Sequence, residues 1–455
     1  MDLFTQYKFL SGLRRGPLGE LAFLTAQADV EENSYRKDLW LKPLDGPAFP
    51  LTTDGKTGGF LWDGPHTLLF QSTRDPEQKK RAEAGEEHTA FYRLDLRGGE
   101  AQKAFEVPLS ASLLEKADEG VYLLAVDWDL RFSKAHQLKG GAKEALLKEK
   151  KEEKDYQVLD EMPFYSNGAG YVNKHRDALF LYEESSGKLT RVTKEAFSTG
   201  SAHLSPDGKQ VLFTGQSYTV KRKNKSGVYV YDRETGRTTE LLKPRAYDLY
   251  DALWWGEKIL LLATDGKRYG LNENAQFYTL DPASGEVALL APYEDALGSS
   301  VGSDCRLGGG REWVQEGDKL YFVTTLGGAS QVYCLEEAGE IRPVYTQAGS
   351  VDCIDAAEGS LYFVGMQDGK LQELYRWDCQ AQERDQLTTL NEKVLAGRYV
   401  ALPQALPYEN DGVDLEGWVL LPKDFDPQKS YPAILDIHGG PKTVYGEVFY
   451  HEMQY

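Results

Sequence analysis

The run Leu204-Ser205-Pro206-Asp207-Gly208-Lys209-Gln210-Val211-Leu212-Phe213, followed by Val228-Tyr229-Val230-Tyr231-Asp232 and Gly236, decides the fold. A Pro-Asp-Gly turn stands before an apolar strand, and the aromatic strand behind it ends on an acidic residue and a glycine turn. The second half recurs as Phe277-Tyr278-Thr279-Leu280-Asp281 with Gly285, and looser copies centre on Trp40, Tyr92, Phe180, Tyr333 and Tyr375. The steps from Trp40 through Tyr92, Phe180, Tyr229, Tyr278 and Tyr333 to Tyr375 are 52, 88, 49, 49, 55 and 42 residues. The first half recurs independently at Phe23, Phe70, Leu124, Phe213, Leu261, Phe322 and Phe363, each ahead of its partner. Two strand types repeating in phase at roughly 40–55 residues match four-stranded blades. The spacing therefore predicts an all-β, seven-bladed β-propeller over residues 1–392.

The long step marks an insertion in blade three. Residues 139–162 are rich in Lys and Glu, enclose Ala145, Leu146 and Leu147, and lack period-2 alternation, which predicts an exposed charged helix. The stretch Met162-Pro163-Phe164-Tyr165-Ser166-Asn167-Gly168-Ala169-Gly170-Tyr171 reads as a turn-containing loop.

Composition narrows the function. The chain has 455 residues, 41% of them hydrophobic and 12% aromatic, enough for a packed core larger than one small domain. A formal charge of −19 argues against nucleic acid and against an anionic membrane surface as partners. Met1 to Gln6 lack a basic and apolar leader pattern, and no apolar run reaches membrane-spanning length, so the expected setting is cytoplasmic. Cys305, Cys334, Cys353 and Cys379 stand singly, and the seven histidines show no metal-binding spacing; neither disulfides, metal nor cofactor is expected.

Past residue 392 the pattern changes. An Asp411-Gly412 turn leads into Val413-Asp414-Leu415-Glu416-Gly417-Trp418-Val419-Leu420-Leu421-Pro422, which alternates as an antiparallel strand. Tyr431-Pro432-Ala433-Ile434-Leu435-Asp436-Ile437-His438-Gly439-Gly440-Pro441 then reads as a buried strand entering a glycine turn, and residues 447–455 as the start of a helix. The His438-Gly439-Gly440-Pro441 loop and the strand before it resemble the prolyl oligopeptidase family of serine peptidases, in its acylaminoacyl-peptidase and dipeptidyl-peptidase-like branch. The Ser-Pro-Asp-Gly turn at 205–208 resembles propellers of that family and of TolB-like proteins.

The resemblance implies that residues 393–455 open an α/β-hydrolase domain, with Gly439 and Gly440 lending backbone N–H groups to an oxyanion hole and His438 and Pro441 shaping the loop. It implies short peptides as substrates and leaves oligomerisation open. It also implies that the Ser, Asp and His of the triad lie beyond Tyr455, so that these residues alone are inactive. Gly298-Ser299-Ser300-Val301-Gly302 formally fits G-x-S-x-G, yet its flanks lack the strand and helix of a nucleophile elbow, and it reads as a surface loop between blades. The acidic pairs Glu31-Glu32, Glu86-Glu87, Glu152-Glu153, Glu183-Glu184 and Glu336-Glu337 are the carboxylates available to hold a peptide's free amine; none stands out from the acidic surface. Two rival readings are a non-catalytic TolB-like scaffold and an esterase with a propeller cap. Without later strands, Ile434, Leu435 and Ile437 are expected to lack partners, and the tail to remain mobile, dock loosely or drive association.

Overall fold

The computed structural model describes residues 3–454. Seven antiparallel sheets follow one another along the chain as the blades of a seven-bladed β-propeller: residues 9–50, 57–107, 111–191, 197–242, 248–291, 296–345 and 353–386. Blade 4 shows the plan, with strands Phe197–Leu204, Gln210–Ser217, Gly227–Asp232 and Arg237–Leu242 in sequential order. Each apolar centre of the sequence repeat lies in a second strand and each aromatic centre in a third. Register pairs them directly across the ladder: Phe23 with Trp40, Phe70 with Tyr92, Leu124 with Phe180, Phe213 with Tyr229, Leu261 with Tyr278, Phe322 with Tyr333 and Phe363 with Tyr375. Directly opposed side chains form the unit of sheet stabilisation. Here they stack in several blades, with ring centroids 5.4 Å apart for Phe213 and Tyr229 and 5.2 Å apart for Phe363 and Tyr375.

The chain divides into two compact units. Residues 56–293 hold blades 2 to 5, whose facing sheets share apolar cores such as Leu123, Leu179, Phe197, Val211 and Phe213 between blades 3 and 4. The insertion in blade 3 runs between strands Val121–Asp129 and His175–Glu183, and it carries the expected helix, Gly140–Glu152, with no buried residue. Its 162–171 stretch forms a small hairpin, Tyr165–Ser166 against Gly170–Tyr171.

Residues 1–55 and 294–455 hold blades 1, 6 and 7 and the tail. Among the described residues no strand is shared between the first and last blades; blade 1 uses residues 9–50 and blade 7 residues 353–386. Polar side chains join them instead. The buried Asn391 amide accepts from Lys8 N at 2.8 Å and donates to Lys8 O at 2.9 Å, Gln372 Oε1 accepts from Leu10 N at 2.9 Å, and Asp355 Oδ2 accepts from Arg15 N at 2.7 Å.

The Gly298–Gly302 stretch is not a surface loop between blades. It interrupts the first strand of blade 6, which is split into Ala296–Leu297 and Trp313–Glu316, both paired with Lys319–Leu326. Val301 within it and Cys305 just after it are buried, and no helix follows. A nucleophile elbow is therefore missing in shape as well as in flanking sequence.

Candidate active-site loop

Between blade 7 and the loop the chain makes two short hairpins. Asp411 and Gly412, at φ +52° and +75°, turn Tyr408–Asn410 into Val413–Leu415, the positive-φ pair that two-residue hairpins favour. The predicted single strand 413–422 is broken at Glu416-Gly417, and Trp418–Val419 pairs with Gln404–Ala405 instead. The reason is local packing: the Trp418 ring lies against Gly328 in the blade 6 hairpin turn, where any β-carbon would overlap it. A cavity of about 260 Å³ opens there, with Gly328, Ala405, Glu416, Trp418 and Glu447 among its walls.

The predicted strand Ala433–Ile437 does not form. Its residues pair with no other strand, and Ile434, Leu435 and Ile437 are 97%, 84% and 77% exposed. An inner strand exists only where neighbours supply hydrogen bonds and two apolar faces, and among the described residues no other strand lies against it. The helix expected over 447–455 is likewise reduced to the 3₁₀ turn Glu452–Gln454, and Tyr455 lies outside the described residues.

His438, Gly439, Gly440 and Pro441 lie together as an exposed turn. Gly440 has φ +145°, and a β-carbon there would sit 2.7 Å from Lys442 N, so this position requires glycine. Gly439 carries no such constraint; nothing lies within 4 Å of its would-be β-carbon. Among the described residues neither Gly439 N–H nor Gly440 N–H has a hydrogen-bond partner. His438 Nδ1 lies 2.7 Å from Gly439 O, and its ring meets the Tyr445 ring edge-on at 5.5 Å. Tyr445 Oη donates to Asp436 Oδ2 at 3.0 Å, tying the two sides of the turn together. Burial and then the Asp436 carboxylate push the Tyr445 hydroxyl up to about 12, so it stays a donor at neutral pH. Chemically the turn offers two free backbone donors on an exposed bend.

Other candidates resolve differently. Glu86, Glu87, Glu184 and Glu336 are each ion-paired, with Lys143, Lys150, Arg93 and Arg342 among their partners, so these carboxylates are already engaged by cations of the chain itself. The four cysteines are free, and among the described residues no cluster of His, Cys, Asp or Glu has metal-binding geometry. No described helix is long and apolar enough to cross a membrane.

Sequence reasoning missed a buried ion pair beneath the blade 3 insertion. Arg176, fully buried, donates through Nη1 and Nη2 to both Glu161 oxygens at 3.1 and 2.7 Å. Its remaining donors reach the carbonyls of His175, Tyr218 and Ala196, and the guanidinium lies 3.7 Å from the Tyr218 ring centroid. The signal was present: an arginine inside the apolar strand His175–Glu183 demands a buried partner.

No family model matches the chain. Over 448 residues it is 24% identical to the uncharacterised peptidase YuxL of Bacillus subtilis, covering 95% of this chain and 65% of that protein. Over 250 residues it is 24% identical to dipeptidyl-peptidase 5 of Porphyromonas gingivalis, covering 52% of this chain and 34% of the relative. Its fold matches the acylaminoacyl peptidase of Pyrococcus horikoshii with a TM-score of 0.74 at 19% identity, over 99% of this chain and 63% of that one. The chain thus spans just under two thirds of the relatives it matches along nearly its whole length. In sequence and in fold the chain is thus similar to proteins named as peptidases, and what it shares with them along nearly its whole length is the propeller-bearing fold.

Proposed function

We propose that these residues form the propeller and the oxyanion-loop portion of a serine peptidase that hydrolyses short peptides, of the acylaminoacyl or dipeptidyl type. The observation that carries the reading is the His438–Pro441 turn, where a glycine-only conformation leaves two adjacent N–H groups without partners. An oxyanion hole needs donors already oriented and unengaged when negative charge develops. Residues 393–455 are the opening of an α/β-hydrolase domain in this reading, and the Ser, Asp and His of the triad belong to sequence downstream of Tyr455. Four free cysteines, three of them buried, fit the reducing cytoplasm.

The test uses a chain extended to include the triad and a chromogenic peptide substrate. Gly440→Pro removes the proposed donor and is expected to lower kcat by roughly 10²–10³. Ser300→Ala is expected to leave hydrolysis unchanged. An inactive Ser300→Ala enzyme, or a fully active Gly440→Pro enzyme, defeats this assignment of the site.

A further inference from the structure

The residues that mimic a nucleophile motif have a different task. Val301 and Val444 form a parallel β-bridge, in which Gly302 N donates to Val444 O at 2.8 Å and Val444 N donates to Ser300 O at 3.1 Å. Two residues further on, Asp304 accepts from His451 N through Oδ1 at 2.7 Å and from Glu452 N through Oδ2 at 2.8 Å. One carboxylate thereby satisfies two of the orphan donors at the start of the Glu452–Gln454 turn, as a capping side chain does, but from a part of the chain about 150 residues earlier. Ser303 Oγ donates to Phe449 O at 2.8 Å, and Tyr7 Oη lies 3.0 Å from His451 Nδ1. Val448 and Phe449 are buried with Tyr7, Phe9, Val301 and Cys305. Gly446 is pressed against the backbone of Gly328 so closely that a β-carbon would overlap Gly328 O.

The receiving surface is held by contacts of its own. Arg306 donates to Ser299 Oγ at 3.1 Å, Val301 O at 2.7 Å and Asp352 Oδ1 at 2.9 Å, while Ser300 N donates to Thr325 Oγ1 at 2.8 Å. It is therefore a built dock rather than a loop that the tail shapes. Val444 stands four residues after Gly440, which at full extension allows a reach of roughly 14 Å. A fixed Val444 therefore confines the glycine turn to the neighbourhood of blade 6.

We propose that the strand-breaking loop of blade 6, residues 298–306, is a positioning device for the His438–Pro441 turn, with Asp304 as its principal positioning residue and Gly446 as the contact that lets the two backbones meet. The functional half of this proposal rests on the oxyanion-loop reading; the mechanical half does not. Cys305 provides a reporter, because the docked segment helps bury it, and burial followed by the Asp304 carboxylate pushes its thiol above the ordinary range.

The experiment uses the 455-residue chain. Thiol alkylation mapped by mass spectrometry reads the dock at Cys305. In a Cys305→Ala, Cys379→Ser background, spin labels at His438→Cys and Glu383→Cys read the distance from the turn to a blade 7 strand. The parent chain is expected to protect Cys305 and to give a narrow distance distribution. Asp304→Ala loses two charge-assisted hydrogen bonds, and alkylation is expected to accelerate about 10²-fold with a broadened distribution. Asp304→Asn, which keeps one acceptor, is expected to fall between. Gly446→Ala should reproduce the Asp304→Ala result without touching a charge, which separates undocking from a folding defect. A broad distribution in the parent, an undisturbed distribution in both variants, or Cys305 protection unchanged in both overturns the proposal. In a triad-bearing chain, Asp304→Ala is expected to lower kcat about tenfold or more with KM little changed. An inactive parent there would sink the peptidase reading alone and leave the distance result standing.

Discussion

His203 shows how a single residue reports on its surroundings. It sits in the first strand of blade 4, with Nε2 2.9 Å from Asp251 Oδ1 on blade 5 and Nδ1 3.4 Å from Glu115 Oε1 on blade 3. Burial alone would lower its pKa, but the two carboxylates outweigh burial and raise it to about 10. Its folded value lies above the ordinary value near 6.5, so the stabilisation is complete below pH 6.5 and is lost as pH rises through about 10. The urea midpoint of the parent is therefore expected to fall more between pH 6.5 and 10 than that of His203→Gln. Equal falls would show that the imidazolium is not what joins the three strands. Arg176 makes a harsher case. Glu161→Ala leaves its guanidinium buried without a counter-charge, and a loss of about 3–5 kcal/mol is expected from chemical denaturation. Nothing in the spacing of the acidic residues singled out Glu161, because its partner is brought to it by the return of the insertion rather than by sequence distance.

At the scale of the element, the repeat was readable because its two centres are opposite each other in every blade. Phe213 and Tyr229 recur in type at a fixed offset since they fill the same place in successive sheets. Phe213→Ala opens a cavity under the Tyr229 ring, and a cost of about 3–5 kcal/mol is expected in the unfolding free energy. A loss under 1 kcal/mol would mean that the pair merely marks the fold. A continuous apolar run misled at Ala433–Ile437. The run has the composition of an inner strand, but a strand is a relation between segments, and composition states only one side of it. Contact accounts for the Gly308-Gly309-Gly310 run, since Gly309 O accepts from Gly12 N at 2.8 Å and Gly310 lies against Cys353. For the candidate site, the glycines of 439–440 were named through the resemblance of their loop, whereas the proposed dock in blade 6 was concealed by a motif that suggested different chemistry.

For the whole molecule, the apolar side chains of Ile434, Leu435 and Ile437 form a short exposed run with unpaired backbone beside it. Such an edge invites pairing with another chain. Sedimentation of the 455-residue chain is expected to show concentration-dependent association, and Ile434→Lys with Ile437→Lys to abolish it. Identical sedimentation of parent and variant would place any association elsewhere.

The side-chain seam between blades 1 and 7 bears on the order of assembly. Within each blade, strands pair with near neighbours in sequence, whereas Asn391 and Lys8 meet across 383 residues. Closing a loop of that length costs entropy that local hairpins do not require, so the blades are expected to form early and the seam to join last. Asn391→Ala, which strips three hydrogen bonds, two of them across that seam to Lys8, is then expected to act almost wholly on the unfolding limb of the chevron, with a φ-value near zero, while Phe213→Ala also slows refolding. A φ-value near one at Asn391 would mean that the first and last blades find each other before the blades between them in sequence are made.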